Sequence, residues 1–313
     1  MYKRVLVPLD GSTLSLQALP IALLVARSTG ARIDLLSAYN ALPEEIWEEV
    51  GRGMREGVAA KVDPAKLAEL TANERTAAEA GLAKEAAALK DSGVTVGTIA
   101  AEGDPADAIN AEAAKEPDTL IVISTHGRSG VGRWVMGSVT DKVVREASHA
   151  TLVVRSQEGD VASAAPKISR VVLAVDGSAT GEQAIPHAIA MAKALGTGIT
   201  VLRAIPPTAF GDTFAEYVPA AYDDLYAEVE ADAQAYASKI SQQVKAAGIS
   251  DVNEVAMTGY PGTAILEEVG EGGDKLAVMG THGRSGVKRW VLGSVADRVI
   301  RHSTGPILVV RPS

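Results

Sequence analysis

Hydrophobic positions fall into short unbroken runs separated by longer alanine-rich or polar stretches. In the first half the runs are residues 5–9, 33–37, 95–100, 120–124 and 151–154. In the second half they are 171–175, 199–203, 253–257, 276–279 and 307–310. Most are continuously apolar and do not alternate, as strands of a parallel sheet covered on both faces must be. The alanine-rich segments between them, 64–90 and 221–247 among them, favour helix. Strand–helix alternation predicts the α/β class: doubly wound, Rossmann-like domains, each with a five-stranded parallel sheet and helices on both faces. Pro20 and Pro186 fall at matched places in the first helix of each half. A proline inside a helix costs about 3 kcal/mol, so these positions mark either a shared kink or a helix that begins there.

The whole pattern is written twice. YKRVLVPLDGS (2–12) answers SRVVLAVDGS (169–178), and EGDPADAI (102–109) answers GYPGTAIL (259–266). STHGRSGVGRWVMGS (124–138) returns as GTHGRSGVKRWVLGS (280–294), and the copies close on TLVVR (151–155) and ILVVR (307–311). The expected division is a first domain over 1–156, a linker over 157–167 and a second domain over 168–313; the small, polar stretch around the linker supports it. TLVVR and ILVVR read as edge strands, and exposed edges pair. They predict a pseudo-symmetric dimer within one chain, and a compact monomer or a homodimer overall.

Composition narrows the function classes. Hydrophobic residues make up 47% and charged residues 22%, a soluble globular profile, and aromatics are only 4%, so the core must rest on Val, Ile, Leu and Ala. There is no cysteine, which excludes disulfides, thiolate metal sites and cysteine nucleophiles. No apolar run has membrane-spanning length, and MYKRVLVPLDGS lacks the apolar core of a signal peptide, so the reading is cytoplasmic. A net charge of −9 without a long basic run argues against nucleic acid as a partner.

The candidate chemistry lies at strand ends, where open parallel sheets bind ligands. Behind the strand 276–279 come Gly280, Thr281-His282-Gly283, then Gly293-Ser294 opening the helix SVADRVIRH. The first half repeats this from Ser124 through Gly127 to Gly137-Ser138. Glycines permit positive φ and let a ligand approach bare backbone. Gly-Ser at a helix start offers N–H groups, a hydroxyl and the positive end of the dipole, a combination that binds phosphate. The alternative is an ordinary helix start that Ser138 and Ser294 cap by themselves. The same loops carry Arg128, Arg133, Arg284, Lys288 and Arg289, any of which could approach a polyphosphate. Asp10 and Asp176 end the first strand of each half, placed either to accept from an adenine amino group or ribose hydroxyl, or to close an Asx turn shared with Ser12 and Ser178.

The motif G-x2-G-x9-G-S at 280–294, the strand-ending aspartates and the five-strand layout together resemble the universal stress protein family in tandem form, in its ATP-binding branch. The resemblance covers nearly the whole chain except the linker. It implies an adenine-nucleotide-binding fold and a role in stress adaptation. Carried over residue by residue, it implies that Asp176 and the backbone near Ala204 face the adenine, that Gly280 and Gly283 line ribose and phosphates, and that Gly293 and Ser294 hold the phosphates. Asp10, Ala38, Gly127, Gly137 and Ser138 correspond in the first half. Ser124 departs from the pattern, standing where its first glycine belongs. Serine there is costly if the position needs positive φ or touches the ligand, and useful if its hydroxyl reaches the ribose.

His126 and His282 have no Ser–His–Asp partners or metal-ligand spacing around them. Trp134 and Trp290 read as anchors of the loops, and 47–56 and 210–226 as segments that differ between halves. No Walker A, kinase or pyrophosphatase signature is present. The expectation is therefore a regulatory protein with up to two sites per chain, holding ATP with Mg²⁺ to offset its charge and not turning it over rapidly. No catalytic residue and no protein-held metal is assigned. The alternatives are a nucleotide-free interaction module with a vestigial pocket and unknown protein partners, and a slow ATPase.

Overall fold

The computed structural model describes residues 2–39, 64–125, 136–156, 166–206, 219–281 and 292–311. All of the expected linker but its last two residues lies outside the described residues. The first repeat runs β1 (Arg4–Pro8), α1 (Thr13–Leu16), α2 (Leu19–Thr29), β2 (Arg32–Tyr39), α3 (Pro64–Ala88), β3 (Val96–Glu102), α4 (Pro105–Ala113), β4 (Thr119–Ser124), α5 (Ser138–Glu146) and β5 (Thr151–Val154). The second runs β6 (Arg170–Ala174), α6 (Ala179–Glu182), α7 (Ala184–Leu195), β7 (Gly198–Ile205), α8 (Pro219–Ala246), β8 (Val252–Thr258), α9 (Pro261–Val269), β9 (Lys275–Gly280), α10 (Ser294–His302) and β10 (Ile307–Val310).

All ten strands form one sheet in the order β3-β2-β1-β4-β5-β10-β9-β6-β7-β8. Within each repeat every pairing is parallel. The repeats meet at a single antiparallel seam, with Leu308 opposite Leu152. The edges TLVVR and ILVVR thus pair within the chain, and the two expected five-stranded sheets are halves of one.

Both faces of this sheet are covered, which is why most of its strands read as unbroken apolar runs. One layer gathers Val5, Leu35 and Leu120 with Ala22 and Val25 of α2 and Leu82 of α3, then continues through Leu173, Val201 and Ala188 of α7 and Ile240 of α8. The other gathers Leu6, Leu36 and Ile121 with Ile109 of α4 and Val143 of α5, and continues into Ile265 of α9 and Val299 of α10. Each layer crosses the seam, so the halves share two cores. A fully buried Val, Leu or Ile contributes about 1.5–3 kcal/mol.

The matched prolines mark helix starts. α1 stops at Leu16 and α2 begins at Leu19, with Pro20 in its first two residues. Pro186 is the third residue of α7. A first-turn N–H has no acceptor inside its helix, so proline there forfeits nothing. No described helix is long and apolar enough to cross a membrane.

Candidate functional site

β1 is the strand at which the order reverses in the first repeat, since it lies between β2 and β4; β6 lies likewise between β7 and β9. The crevice beyond such a strand is where doubly wound sheets take ligands. The sequence-named elements converge there in each repeat: the aspartate turn after β1 or β6, the end of β2 or β7, and the helix entered after β4 or β9.

The Asp-Gly-Ser turn is closed by the same bonds in both repeats. Asp10 Oδ1 accepts from the N and Oγ of Ser12 at 3.0 and 2.6 Å, and Asp176 Oδ1 from the N and Oγ of Ser178 at 3.0 and 2.5 Å. The serines in turn cap α1 and α6, accepting from Ser15 N at 3.1 Å and Gly181 N at 3.0 Å. Gly11 and Gly177 both sit at φ 80°, a left-handed conformation that a side chain resists. The Asx-turn role weighed for these aspartates is therefore real in both repeats. Ala38 is half-buried on β2, and Ala204 on β7 is buried against the layer that contains α9 and α10.

Strands β4 and β9 end alike despite the serine. Ser124 pairs with Val154 and Gly280 with Val310 as ordinary strand residues, and no described non-glycine residue has positive φ. Serine at 124 therefore costs nothing in backbone terms. The residue is buried, and its carbonyl accepts from Thr140 Oγ1 at 2.7 Å.

Thr125 and Thr281 then carry the pairing one residue further, through N–H bonds of 2.9 Å to Val154 O and Val310 O. The chain next enters 126–135 or 282–291, outside the described residues; Gly127, Arg128, Gly283, Arg284, both loop histidines, both loop tryptophans, Arg133, Lys288 and Arg289 fall there. It returns at the buried Met136 and Leu292. The loop is pinned at its base, since Gly137 N donates to Thr125 O at 2.8 Å and Gly293 N to Thr281 O at 2.9 Å.

The helix starts differ from the ordinary alternative. Ser138 and Ser294 are not the caps. They are the first helical residues, exposed, and the capping positions belong to Gly137 and Gly293, which supply no side-chain cap bond. These glycines have φ of −58° and −61°, so their use is not conformational freedom. A glycine cap adds no side chain before the first-turn amides, which lie at the positive end of the helix dipole. Among the described glycines of the two motifs, the left-handed ones are Gly11 and Gly177, beside the aspartates.

The structure adds residues that motif reading passed over. Arg203, buried at the end of β7, donates through Nη1 to Val175 O at 3.5 Å and lies over the Tyr236 ring, 5.6 Å from its centroid. Tyr236 OH donates to Glu182 Oε1 at 3.0 Å. Burial, followed by the hydrogen bond to Glu182, pushes the Tyr236 phenol well above its ordinary range, so it stays protonated and donating. An arginine inside the run GITVLRAI was the available signal. Among the described residues no group of His, Cys, Asp and Glu has the arrangement of a metal site.

With this geometry in place, comparison with known proteins is direct. The model of the universal stress protein family matches residues 1–155 and again 167–311. The chain belongs to that family and carries its unit twice. A universal stress protein of Mycolicibacterium smegmatis is 30% identical over 200 residues, 62% of this chain and 62% of that protein. The matched stretch therefore spans less than two thirds of that relative. Universal stress protein MJ0531 of Methanocaldococcus jannaschii is 30% identical over 162 residues, 50% of this chain and 83% of the relative. A crystal structure of a universal stress protein from Archaeoglobus fulgidus superposes with TM-score 0.66 at 21% identity, covering 100% of both chains, a likeness of fold.

Proposed function

We propose that the chain is a regulatory protein that binds an adenine nucleotide, ATP foremost, at two strand-end sites and holds it without rapid turnover. The observation that carries the reading is the doubled helix start. A loop pinned by Thr125–Gly137 or Thr281–Gly293 delivers the chain to a helix whose first-turn amides have no side-chain cap. A triphosphate fits such a start in charge and in hydrogen-bonding sense. Ser138 and Ser294 would add hydroxyl donors, and the Asp10 and Asp176 turns would border the adenosine end. Gly127, Arg128, Gly283 and Arg284 belong to the same site by their place in the chain. Bound Mg²⁺ would offset the charge of the phosphates. Membership of the universal stress protein family supports a role in stress adaptation.

One observation favours a second reading. The Oδ1 atoms of Asp10 and Asp176 are engaged by their own serines, which suits an interaction module that needs no ligand as well as it suits a nucleotide site. Equilibrium dialysis separates the two. The first reading expects ATP to bind at two equivalents per chain, with GTP weaker. Asp is a favourable capping residue, so Gly137→Asp and Gly293→Asp should leave the helices intact while placing a carboxylate before the amides. Each is expected to remove one equivalent. A chain that ignores millimolar ATP, AMP and GTP alike would establish the interaction module.

A further inference from the structure

The two aspartate turns are braced by different means. In the first repeat the brace is internal: Ser15 Oγ donates to Ser12 O at 2.9 Å and accepts from Asp10 N at 3.4 Å. In the second repeat Gly181 holds that place, and a Cβ there would lie 2.5 Å from Asp176 Oδ1 and 3.1 Å from Ser178 Oγ. A serine at 181 would therefore require the Asp176 carboxylate to shift from its place in the turn.

The replacement comes from outside the turn. Arg203 grips the carbonyl of Val175, immediately before Asp176, while its guanidinium stacks on Tyr236 of α8. Tyr236 reaches Glu182, the last residue of α6, which the turn opens. Both ends of the Asp176 turn are thereby tied to one strand and one long helix. Each member is particular to the second repeat. Ser37 follows Leu36 where Arg203 follows Leu202, Leu16 ends α1 where Glu182 ends α6, and α3 contains no aromatic residue. A guanidinium and a phenol are expensive to bury unless their partners matter, and Val175 and Glu182 both belong to the turn and the helix it opens.

We propose that Arg203 is the positioning residue of the second site. Through Val175, and through Tyr236 and Glu182, it fixes the Asp176 turn in the form that receives the adenosine end of the ligand, the task Ser15 performs in the first site. The inference rests on the nucleotide reading, deepens it, and makes the second site alone dependent on the placement of α8.

The test isolates each site in the full chain. In the Gly137→Asp background, which leaves the second site, Arg203→Ser is expected to weaken ATP binding about tenfold, the order expected when one supporting hydrogen bond and one cation–π interaction are removed together. Arg203→Lys keeps the charge and part of the reach and should recover part of that loss. In the Gly293→Asp background, which leaves the first site, Arg203→Ser should change nothing, whereas Ser15→Ala should weaken binding. A merely structural arginine would lower the melting temperature and leave the affinity of the folded protein intact. That result, with ATP affinity of the second site within about twofold of its parent, overturns the proposal. If the parent binds no nucleotide, the nucleotide reading itself fails. Hydrogen exchange of the amides of 177–182 without ligand then decides the brace: faster exchange in Arg203→Ser supports it, and unchanged exchange overturns it.

Discussion

Arg4 and Arg170 occupy the same position on the first strand of their repeats, yet their surroundings have diverged. Arg4 is 2% exposed; its Nε donates to Asp34 Oδ2 at 2.6 Å, and its Nη2 and Nη1 to Glu112 Oε1 and O at 2.8 and 3.0 Å. Arg170 pairs with Asp251 at 2.7 Å, a carboxylate whose side chain is 60% exposed. Thr200 stands where Asp34 does, and Glu268, the match of Glu112, has turned to Lys275. The same contrast recurs at the strand ends, where Ser15 and Thr140 serve one repeat and Arg203 and Tyr236 the other. What the repeats share is backbone: the Asp-Gly-Ser turn, the threonine–glycine pin and the glycine-capped helix. What differs is the set of side chains that supports it. A duplicated fold can therefore keep two copies of its strand-end backbone in register while resting them on unrelated interactions.

The sharpest way to break this contrast is to remove matching carboxylates. Asp34→Ala leaves a buried guanidinium with Glu112 as its principal partner and should cost about 3 kcal/mol, the low end for breaking a buried pair. Asp251→Ala removes an exposed partner and should cost about 0–1 kcal/mol. Urea unfolding of the two variants, with the slope of stability against denaturant checked for constancy, measures both. Equal losses would mean that the two cations are supported alike after all.

Much of this was legible in the chain. Most strand positions were readable from continuous apolar runs, because a sheet covered on both faces offers no solvent side to disturb them; the outer strands β3 and β8, half-buried with exposed positions, carry a weaker version of that signal. The seam was readable too, since TLVVR and ILVVR are terminal strands with an edge to cover. Side-chain support was not. Arg4 next to Lys3 looks like a solvated strand start, and only the fold brings Asp34 and Glu112 onto it. Ser138 and Ser294 look like caps because serine usually is one; the cap moved one residue back because Gly137 and Gly293 are held by the threonine carbonyls. The demand for left-handed glycine fell at Gly11 and Gly177, since φ is set by turn geometry that a glycine count does not reveal.

A smaller contrast lies beneath the pinned loops. Thr140 Oγ1 donates to the buried Ser124 carbonyl at 2.7 Å, and the second repeat has Ala296 and Gly280 at these places. Thr140→Ala makes the first repeat resemble the second. It should cost about 1 kcal/mol, the net worth of one buried hydrogen bond, read as a shift in urea midpoint. A neutral result would show that the loop base is secured by the Gly137–Thr125 bond alone.

The smallest effect is expected between the repeats, where Tyr2 of the first meets His187 of the second in a polar pair that has no counterpart at the matching positions. Tyr2 OH shares a hydrogen bond with His187 Nδ1, and their rings lie 5.8 Å apart. The positions that match them are Ile168 and Ile21, both buried in the same core. Burial pushes the His187 imidazole below its ordinary value and the Tyr2 phenol above its own, so both are neutral near pH 7. Because the folded imidazole releases its proton more readily than the unfolded one, the unfolded chain binds more protons as pH falls. The neutral pair's contribution is then complete above the unfolded value of about 6.5 and is lost as pH falls through the lowered folded value. His187→Gln keeps an acceptor for Tyr2 without a titrating ring and should flatten the fall in stability between neutral and mildly acid pH. His149, also lowered by burial, would remain to supply the residual slope. An unchanged slope in His187→Gln would show that the acid sensitivity does not come from this pair.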